Sequence, residues 1–352
     1  MSKIPILVFI GGFLGAGKTT LIERAARILE KREMRVAVIT NDQDSGSVDA
    51  RFTEARGMEA REIAGGCFCC RFSDLLEAAD QFRRYDPDVI FAEPVGSCID
   101  LSATILQPLK SAHRGSYQLA PLTVLVDPLM AKQAYAGELD ADREYLFRQQ
   151  VAEADLLCVT KRDRYTEDPA LPVPVDFWLS AQTGEGVDAW LEETLQMRRV
   201  AGARLLEVEY GRYAEAEAAL GWLNFHVDVE LQKPASPTAF VGPLFDNLDR
   251  MLTDAGATIA HLKMFDRTTT GYLKATICAN GDEPRPEGDL MADAARNHEL
   301  AINVRAVADP VELQRLVQQA MGQVKGTVTL RHLGAFRPPP PKPEQRFRHV
   351  VA

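Results

Sequence analysis

Residues 12–19, Gly12-Phe13-Leu14-Gly15-Ala16-Gly17-Lys18-Thr19, constrain this chain more than any other stretch. They fit the phosphate-binding loop pattern in full. An apolar run precedes them and a helical pattern from residue 18 to about 31 follows, the strand–loop–helix context that the pattern requires. The glycines let backbone N–H groups face phosphate oxygens. Lys18 supplies charge at the β- and γ-phosphates, and Thr19 offers a hydroxyl to Mg²⁺. Gly12, Gly15, Ala16, Gly17, Lys18, Thr19 and Thr20 are therefore the candidate phosphate-binding residues. A loop of this kind belongs at the end of a strand in a parallel sheet, so it sets the class of the first half of the chain.

The pattern that follows agrees. Residues 5–10, 35–40, 88–93, 122–127, 155–160 and 175–179 are short, mostly apolar and not alternating, as strands covered on both faces should be. Helical stretches separate them. The expectation is an α/β fold: a doubly wound, mainly parallel sheet over residues 1–200. Gly12, Asn41, Glu93, Asp127, Lys161 and Ser180 fall at or just beyond the C-terminal ends of these strands, the edge where such sheets bind ligands. Residues 201–224 read as a helical connector. From 225 to 335 the pattern becomes alternating (225–231, 258–264, 272–278, 301–306), with helices at 243–255 and 310–321, which predicts a smaller α+β domain with an antiparallel sheet. Residues 336–352 are basic and rich in proline, and are expected to be disordered.

The net charge of −10 over 352 residues argues against nucleic acid or an anionic membrane as a general partner. The apolar run 4–14 is interrupted by Pro5, Gly11 and Gly12, and is too short to span a bilayer. No export signal is legible, so the six cysteines are expected in a reducing, cytoplasmic compartment, where clustered cysteine reads as a metal or redox site and not as a disulfide framework.

Three further motifs carry chemistry. Glu93 is followed by Pro94-Val95-Gly96: its carboxylate can face Mg²⁺, and the Gly96 backbone can approach a γ-phosphate. Thr160-Lys161-Arg162-Asp163 follows a strand. Asp163 can accept from the N1 and N2 edge of guanine while the Lys161 stem covers the ring. The usual first residue of this motif is Asn, so Thr160 weakens it, and Ser180-Ala181 supplies a second guanine loop in the right order. Adenine offers no such donor pair, so GTP is the expected nucleotide.

The third motif is Gly65-Gly66-Cys67-Phe68-Cys69-Cys70. Two or three of its sulfurs can converge on one ion, and thiolates suit Zn²⁺ or, as an alternative, Co²⁺. Three protein ligands would leave a position open for transfer. Core packing, a redox dithiol and an Fe–S centre are the competing readings. The last usually needs four cysteines, whereas Cys98, Cys158 and Cys278 fall in strand-like or unrelated segments. The six histidines are scattered and receive no role.

The order phosphate loop, Asn41-Asp42, Gly-Gly-Cys-x-Cys-Cys, Glu93-x-x-Gly96, Val126-Asp127, Lys161-x-Asp163, Ser180-Ala181 resembles the CobW-like P-loop GTPases, relatives of the hydrogenase and urease nickel-insertion GTPases. The resemblance covers about residues 4–195 strongly and the C-terminal part loosely. It implies a P-loop NTPase fold with a C-terminal α+β domain, a homodimer, slow intrinsic GTP hydrolysis, and delivery of a metal to a client metalloprotein or cofactor-assembly enzyme. It also implies that Cys67, Cys69 and Cys70 bind the metal while Lys18, Thr19 and Glu93 serve Mg-GTP. Relatives often have Gly and Glu where this chain has Asp44 and Ser45, which leaves Asp42 or Asp44 to orient the attacking water. Residues 41–49 would be the nucleotide switch. Two other readings compete: a GTP-dependent assembly gatekeeper for a corrinoid or other cofactor enzyme, with structural cysteines, and a small-molecule kinase.

Overall fold

In the computed structural model, residues 3–45, 47–165 and 171–351 are described. They form two compact units. One comprises Met1–Gln43, Gly57–Ala216 and Pro340–Ala352; the other comprises Asp44–Arg56 and Glu217–Pro339.

The first unit is the expected doubly wound sheet. Its strands are β1 (Ile6–Gly12), β2 (Val36–Asn41), β3 (Glu59–Ile63), β4 (Val89–Glu93), β5 (Gln118–Leu119), β6 (Thr123–Val126), β7 (Leu156–Val159) and β8 (Phe177–Trp178). The order is β3-β2-β4-β1-β6-β7-β8, with β5 added to β1, and every pairing is parallel. β1 lies between β4 and β6, so its strand end, the phosphate loop, sits at the crevice where the strand order reverses. Helix Lys18–Lys31 continues from that loop and buries Leu21, Ile22, Ala25 and Leu29 against the sheet. β3 was not anticipated. Its exposed and half-buried Glu59, Arg61 and Glu62 hide an edge strand that alternation would have betrayed.

Helix Ala141–Glu153 supports the loop after β4. Gln150 Nε2 donates to Gly96 O and to Cys98 O, both at 3.0 Å, and Ser102 N donates to the Glu153 carboxylate. Among the described residues, the Pro-rich tail has no helix or strand beyond Phe336, yet residues 337–351 are ordered where composition suggested disorder. Its final stretch is laid along the first unit, with Phe347 N donating to Ala103 O at 3.0 Å and Val351 N to Gln107 Oε1 at 2.7 Å. Arg346 is paired with fully buried Asp100, which also accepts from Tyr210 Oη. Low hydrophobicity is offset here by backbone hydrogen bonds and one buried ion pair.

The second unit is a six-stranded antiparallel sheet: β9 (Gly221–Ala235), β10 (Thr258–Arg267), β11 (Tyr272–Ile277), β12 (Arg285–Gly288), β13 (Ala295–Val307) and β14 (Gly326–Phe336), in the order β12-β11-β10-β13-β9-β14. Helices Pro237–Asp254 and Pro310–Met321 pack on it around Leu223, Phe245, Leu262, Ile302 and Val317. The first of these begins at 237, not 243. Ser236 Oγ accepts from Ala239 N and Pro237 occupies the first turn, so Pro243 lies inside the helix. The expected connector is a shorter helix, Tyr210–Ala218, after which β9 starts at Gly221.

The unit also takes in a helix from the first half of the chain, Val48–Ala55. Ser47 Oγ caps it, accepting from Ala50 N at 3.1 Å, and Phe52 packs edge-on against Phe265 and Tyr272. Lys263 pairs with Asp49, and Arg51 with Glu299. Burial alone would raise the Asp49 carboxyl, but Lys263 and Lys274 hold it well below the usual range. Among the described residues, no helix is long and apolar enough to cross a membrane.

One pH dependence follows from the packing behind the β4 loop. Burial pushes the Glu153 carboxyl from 4.5 up to about 8. The folded protein therefore holds a proton that the unfolded chain releases above 4.5. That contribution is complete below pH 4.5 and is lost as pH rises to about 8. Glu153→Gln keeps an acceptor for Ser102 N and should flatten this slope, raising Tm at pH 8 by roughly 2–4 °C or more while changing it little near pH 5. Thermal melts across that range check it.

Candidate functional site

The phosphate loop is shaped by glycine where side chains cannot go. Gly12 has φ 132°, and a Cβ there would lie 2.4 Å from Leu125 O; Gly17, at φ 93°, caps helix Lys18–Lys31. Lys18 is buried, with Nζ donating to Gly12 O at 3.0 Å. Thr19 Oγ1 donates to Glu93 Oε1 at 3.1 Å, so the hydroxyl and carboxylate expected to hold Mg²⁺ meet across β1 and β4. A buried hydroxyl–carboxylate pair beside a buried lysine fits that ion's preference for oxygen ligands shared with phosphate. Gly96 backs directly onto the loop: a Cβ there would come within 2.6 Å of Leu14 Cδ2 and 3.1 Å of Leu14 N.

The two loops expected to recognise guanine also come together. Arg162 N donates to Leu179 O at 3.2 Å, and Ser180 Oγ donates to Asp163 Oδ1 at 2.5 Å. Lys161, at φ 59°, pairs with Asp127, and Ala181 O accepts from Arg24 Nε at 2.8 Å. Thr160 Oγ1 donates to Ala16 O at 2.8 Å and lies 3.2 Å from Val126 O. The residue that departs from the usual Asn thus still ties its loop to the phosphate loop, through a hydroxyl. Thr20 is half-buried on the first turn of the helix.

The thiol loop hangs from the end of β2. Asn41 Nδ2 donates to Ile63 O at 2.9 Å and Gly66 O at 2.8 Å, while its Oδ1 accepts from Phe68 N at 2.9 Å. One side chain therefore grips the segment on both sides of Cys67. Gly65 and Gly66, at φ 81° and 150°, bend the chain into it. A turn closes with Cys70 N and Arg71 N donating to Cys67 O, leading into helix Phe72–Phe82. That turn points the three sulfurs inward. Cys67 Sγ is 2.8 Å from Cys69 Sγ and 3.4 Å from Cys70 Sγ, and the third edge is 3.7 Å. A tetrahedral ion at Zn–S distances of 2.3 Å needs edges of about 3.8 Å, so the triangle fits one ion once the Cys67–Cys69 edge opens by about 1 Å. None of the six cysteines is in a disulfide.

The cluster shares charge unevenly. Hydrogen bonds from the thiols of Cys69, then Cys70 and Cys98, hold Cys67 well below the usual thiol range. The contact with Cys67 pushes Cys69 well up and Cys70 up to about 11. The tail adds a donor from outside: Lys342 N donates to Cys70 Sγ at 3.1 Å, and Glu344 N to Cys69 O at 2.9 Å. The Glu344 carboxylate accepts from Ser73 Oγ at 2.7 Å.

Three of these features were not read from the sequence. The sequence marks Asn41 only as a motif residue, puts Cys98 in a segment unrelated to the cluster, and gives the tail no role. Asparagine at a strand end beside a glycine-rich loop was the available signal for the first. Asp44, a candidate for orienting water, lies in the second unit, where its carboxylate meets His332 Nε2 at 2.6 Å. Asp42 stays in the first unit, its N–H bonded to Ile63 O at 3.0 Å. The anticipated switch 41–49 is thus divided between the units, with Gly46 outside the described residues.

Residues 6–174 match the family model described as CobW/HypB/UreG, nucleotide-binding domain. The zinc chaperone CobW of Pseudomonas aeruginosa is 28% identical over 192 residues, 47% of this chain and 50% of that protein. The zinc chaperone YjiA of Escherichia coli is 30% identical over 167 residues, 45% and 50% respectively. The chain spans about half the length of the curated relatives it matches. Among solved structures, HypB from Helicobacter pylori in complex with nickel aligns at TM-score 0.40 and 15% identity, covering 58% of this chain and 92% of that one.

Two outcomes are expected of the thiol loop. Because ligation needs thiolates while Cys69 and Cys70 are pushed up, loading a divalent ion on all three should expel a measurable number of protons, and apparent affinity should rise with pH. Calorimetry of Zn²⁺ binding in buffers of different ionisation enthalpy reads that number. Asn41→Ala, which releases the loop on both sides of Cys67, should weaken Zn²⁺ binding roughly 10–100-fold, as loss of an outer-shell partner does, in a competition titration.

Proposed function

We propose that this chain, built on a CobW/HypB/UreG nucleotide-binding domain, is a GTP-binding and GTP-hydrolysing metallochaperone that carries Zn²⁺ on Cys67, Cys69 and Cys70 to a client protein. The observation that carries the reading is the convergence of three sulfurs to single-ion spacing on the same unit, and the same sheet edge, as a phosphate loop. A purely metabolic kinase has no use for such a cluster, and a structural zinc wants four protein ligands where this motif supplies three.

The contacts support these roles. Lys18 neutralises the β- and γ-phosphates. Thr19 and Glu93 hold the Mg²⁺ that bridges them, and the Gly96 backbone, close against Leu14, reads whether a γ-phosphate is present. Asp163, fixed by Ser180, accepts from guanine, and Lys161 covers the ring. Asp42, just after β2, is the candidate for orienting water. Phosphoryl transfer needs little beyond this positioning and charge, which suits a slow timer. Zn²⁺ is preferred to Co²⁺ as cargo because three thiolates favour the later, softer ion. Asn41 connects the halves: its backbone ends β2 beside the nucleotide edge while its side chain holds the thiol loop, so a shift on one side is felt on the other. Metal and nucleotide should then alter each other's affinity by one common factor.

The test is a Zn²⁺ titration of the apo-protein with and without a Mg-GTP analogue, beside Cys67→Ser/Cys69→Ser and Lys18→Ala. Nucleotide should tighten zinc binding in the wild type. The cysteine variant should lose zinc but keep nucleotide, and Lys18→Ala should do the reverse. Zinc binding indifferent to nucleotide, or undiminished in the cysteine variant, would sink the proposal and favour a gatekeeper that docks on an apo-enzyme.

A further inference from the structure

Residues 340–351 belong to the first unit, although 272 positions separate Lys342 from Cys70. They are drawn across the thiol loop by bonds to three successive pieces of that unit. Lys342 N donates to Cys70 Sγ at 3.1 Å, and Glu344 N donates to Cys69 O at 2.9 Å. The Glu344 carboxylate then accepts from Ser73 Oγ at 2.7 Å and from Ser73 N at 3.3 Å. Helix Phe72–Phe82 has no side-chain cap at Arg71, so the tail supplies an acceptor that its first turn lacks. Beyond Glu344, Arg346 Nε donates to Asp100 Oδ2 at 2.7 Å, and the same guanidinium donates to Leu206 O at 2.8 Å.

Cys67 and Cys69 are each 2% exposed, and Cys70 is the half-buried member of the cluster. The tail meets the sulfur of that most accessible residue. A backbone N–H cannot ligate a metal, so the contact is a cover and not a coordination bond. Three sulfurs leave the fourth tetrahedral position of an ion open, and an acceptor's ligand has to reach it. The tail is held with unequal strength along its length. Arg346 is paired with fully buried Asp100, which also accepts from Tyr210 Oη at 2.7 Å, so breaking this end strands a buried charge. At the thiol end, Lys342 and Glu344 are exposed, and their bonds compete with water. Pro341 and Pro343 stiffen the span between the two ends. The thiol end can therefore lift while the Asp100 end stays attached.

We propose that residues 341–345 are a strap over the thiol site, hinged at the Arg346–Asp100 pair, and that the strap must lift for an ion to enter or leave. This rests on the reading of Cys67, Cys69 and Cys70 as the metal site. Closed, the strap covers Cys70 and holds the first turn of helix Phe72–Phe82 against the loop. Open, it bares the side from which an acceptor's thiolate or imidazole reaches the ion. Retention of the ion is then kinetic: the strap slows exchange in both directions and changes the equilibrium affinity little.

Lys342→Pro removes the N–H that meets Cys70 and suits an extended, proline-rich span, while Glu344→Ala removes the contacts with Ser73. The double variant leaves Arg346 and Asp100 in place, and unchanged affinity for a Mg-GTP analogue confirms that its first unit is folded. In the full chain loaded with Zn²⁺, transfer of the ion to an excess of a chromogenic chelator should be roughly tenfold faster in the double variant, as loss of two or three weak hydrogen bonds implies. Its zinc dissociation constant should change far less than that rate. In the metal-free chain, alkylation of Cys70 by iodoacetamide, mapped by mass spectrometry, should quicken by a similar factor, with fully buried Cys158 unmodified in both proteins. Either rate unchanged in the double variant would overturn the strap, and a loss of zinc affinity as large as the gain in rate would overturn its kinetic action. If Cys67→Ser/Cys69→Ser binds zinc normally, the parent reading has failed; if that variant loses zinc while the tail variant releases it at the wild-type rate, only this inference has.

Discussion

The side chain of Asn41 is the interaction on which the site depends. It makes three hydrogen bonds to the loop between β3 and helix Phe72–Phe82, and it is buried where those bonds do not compete with water. Without it, a loop bent by two adjacent glycines would have many conformations and no reason to aim three sulfurs at one point. With it, the thiol cluster becomes an extension of β2. Only an amide carries donor and acceptor together at this length, so neither Asp nor Leu would serve.

The first unit places its chemistry by a single device repeated at successive strands. Each strand ends on the same edge, and the residue at or just past its end carries the function: Gly12, Asn41 and Glu93 end β1, β2 and β4, and Thr160 and Lys161 follow β7. Hydrogen bonds between these endings then fix their spacing. Thr19 reaches Glu93, Thr160 reaches Ala16, and Ser180 reaches Asp163. These are short contacts between rigid elements, which suits a site where a displacement of an ångström changes what is bound. The second unit works differently. Its antiparallel sheet holds helix Val48–Ala55 by apolar packing of Phe52 and by buried pairing of Asp49 with Lys263. The segment that follows β2 is therefore stabilised as part of another unit, not as a free switch.

Much of this was legible from the chain. The phosphate loop, the helix from Lys18 to Lys31 and the parallel strands rest on local patterns whose period or spacing is itself the physical constraint. The edge strand β3 was not legible because charged residues on an exposed edge mimic a loop, and β14 was missed although Thr327–Leu330 alternates. The start of helix Pro237–Asp254 was misplaced because Pro243 reads as a first-turn residue when Ser236-Pro237 is the true start. The tail misled for a compositional reason: proline and charge forecast disorder, but an ion pair with a fully buried aspartate is invisible to composition.

What the sequence determined by itself was the α/β class, the phosphate loop and the presence of a thiol motif, because each is encoded within a window of about ten residues. What only the tertiary structure decided was which distant groups meet: Asn41 with the thiol loop, Cys98 with Cys67, residues 342–344 with Cys69 and Cys70, and residues 44–56 with a sheet far along the chain. Those pairings depend on sheet order and on burial. Both are properties of the whole folded core, and no local spacing records them.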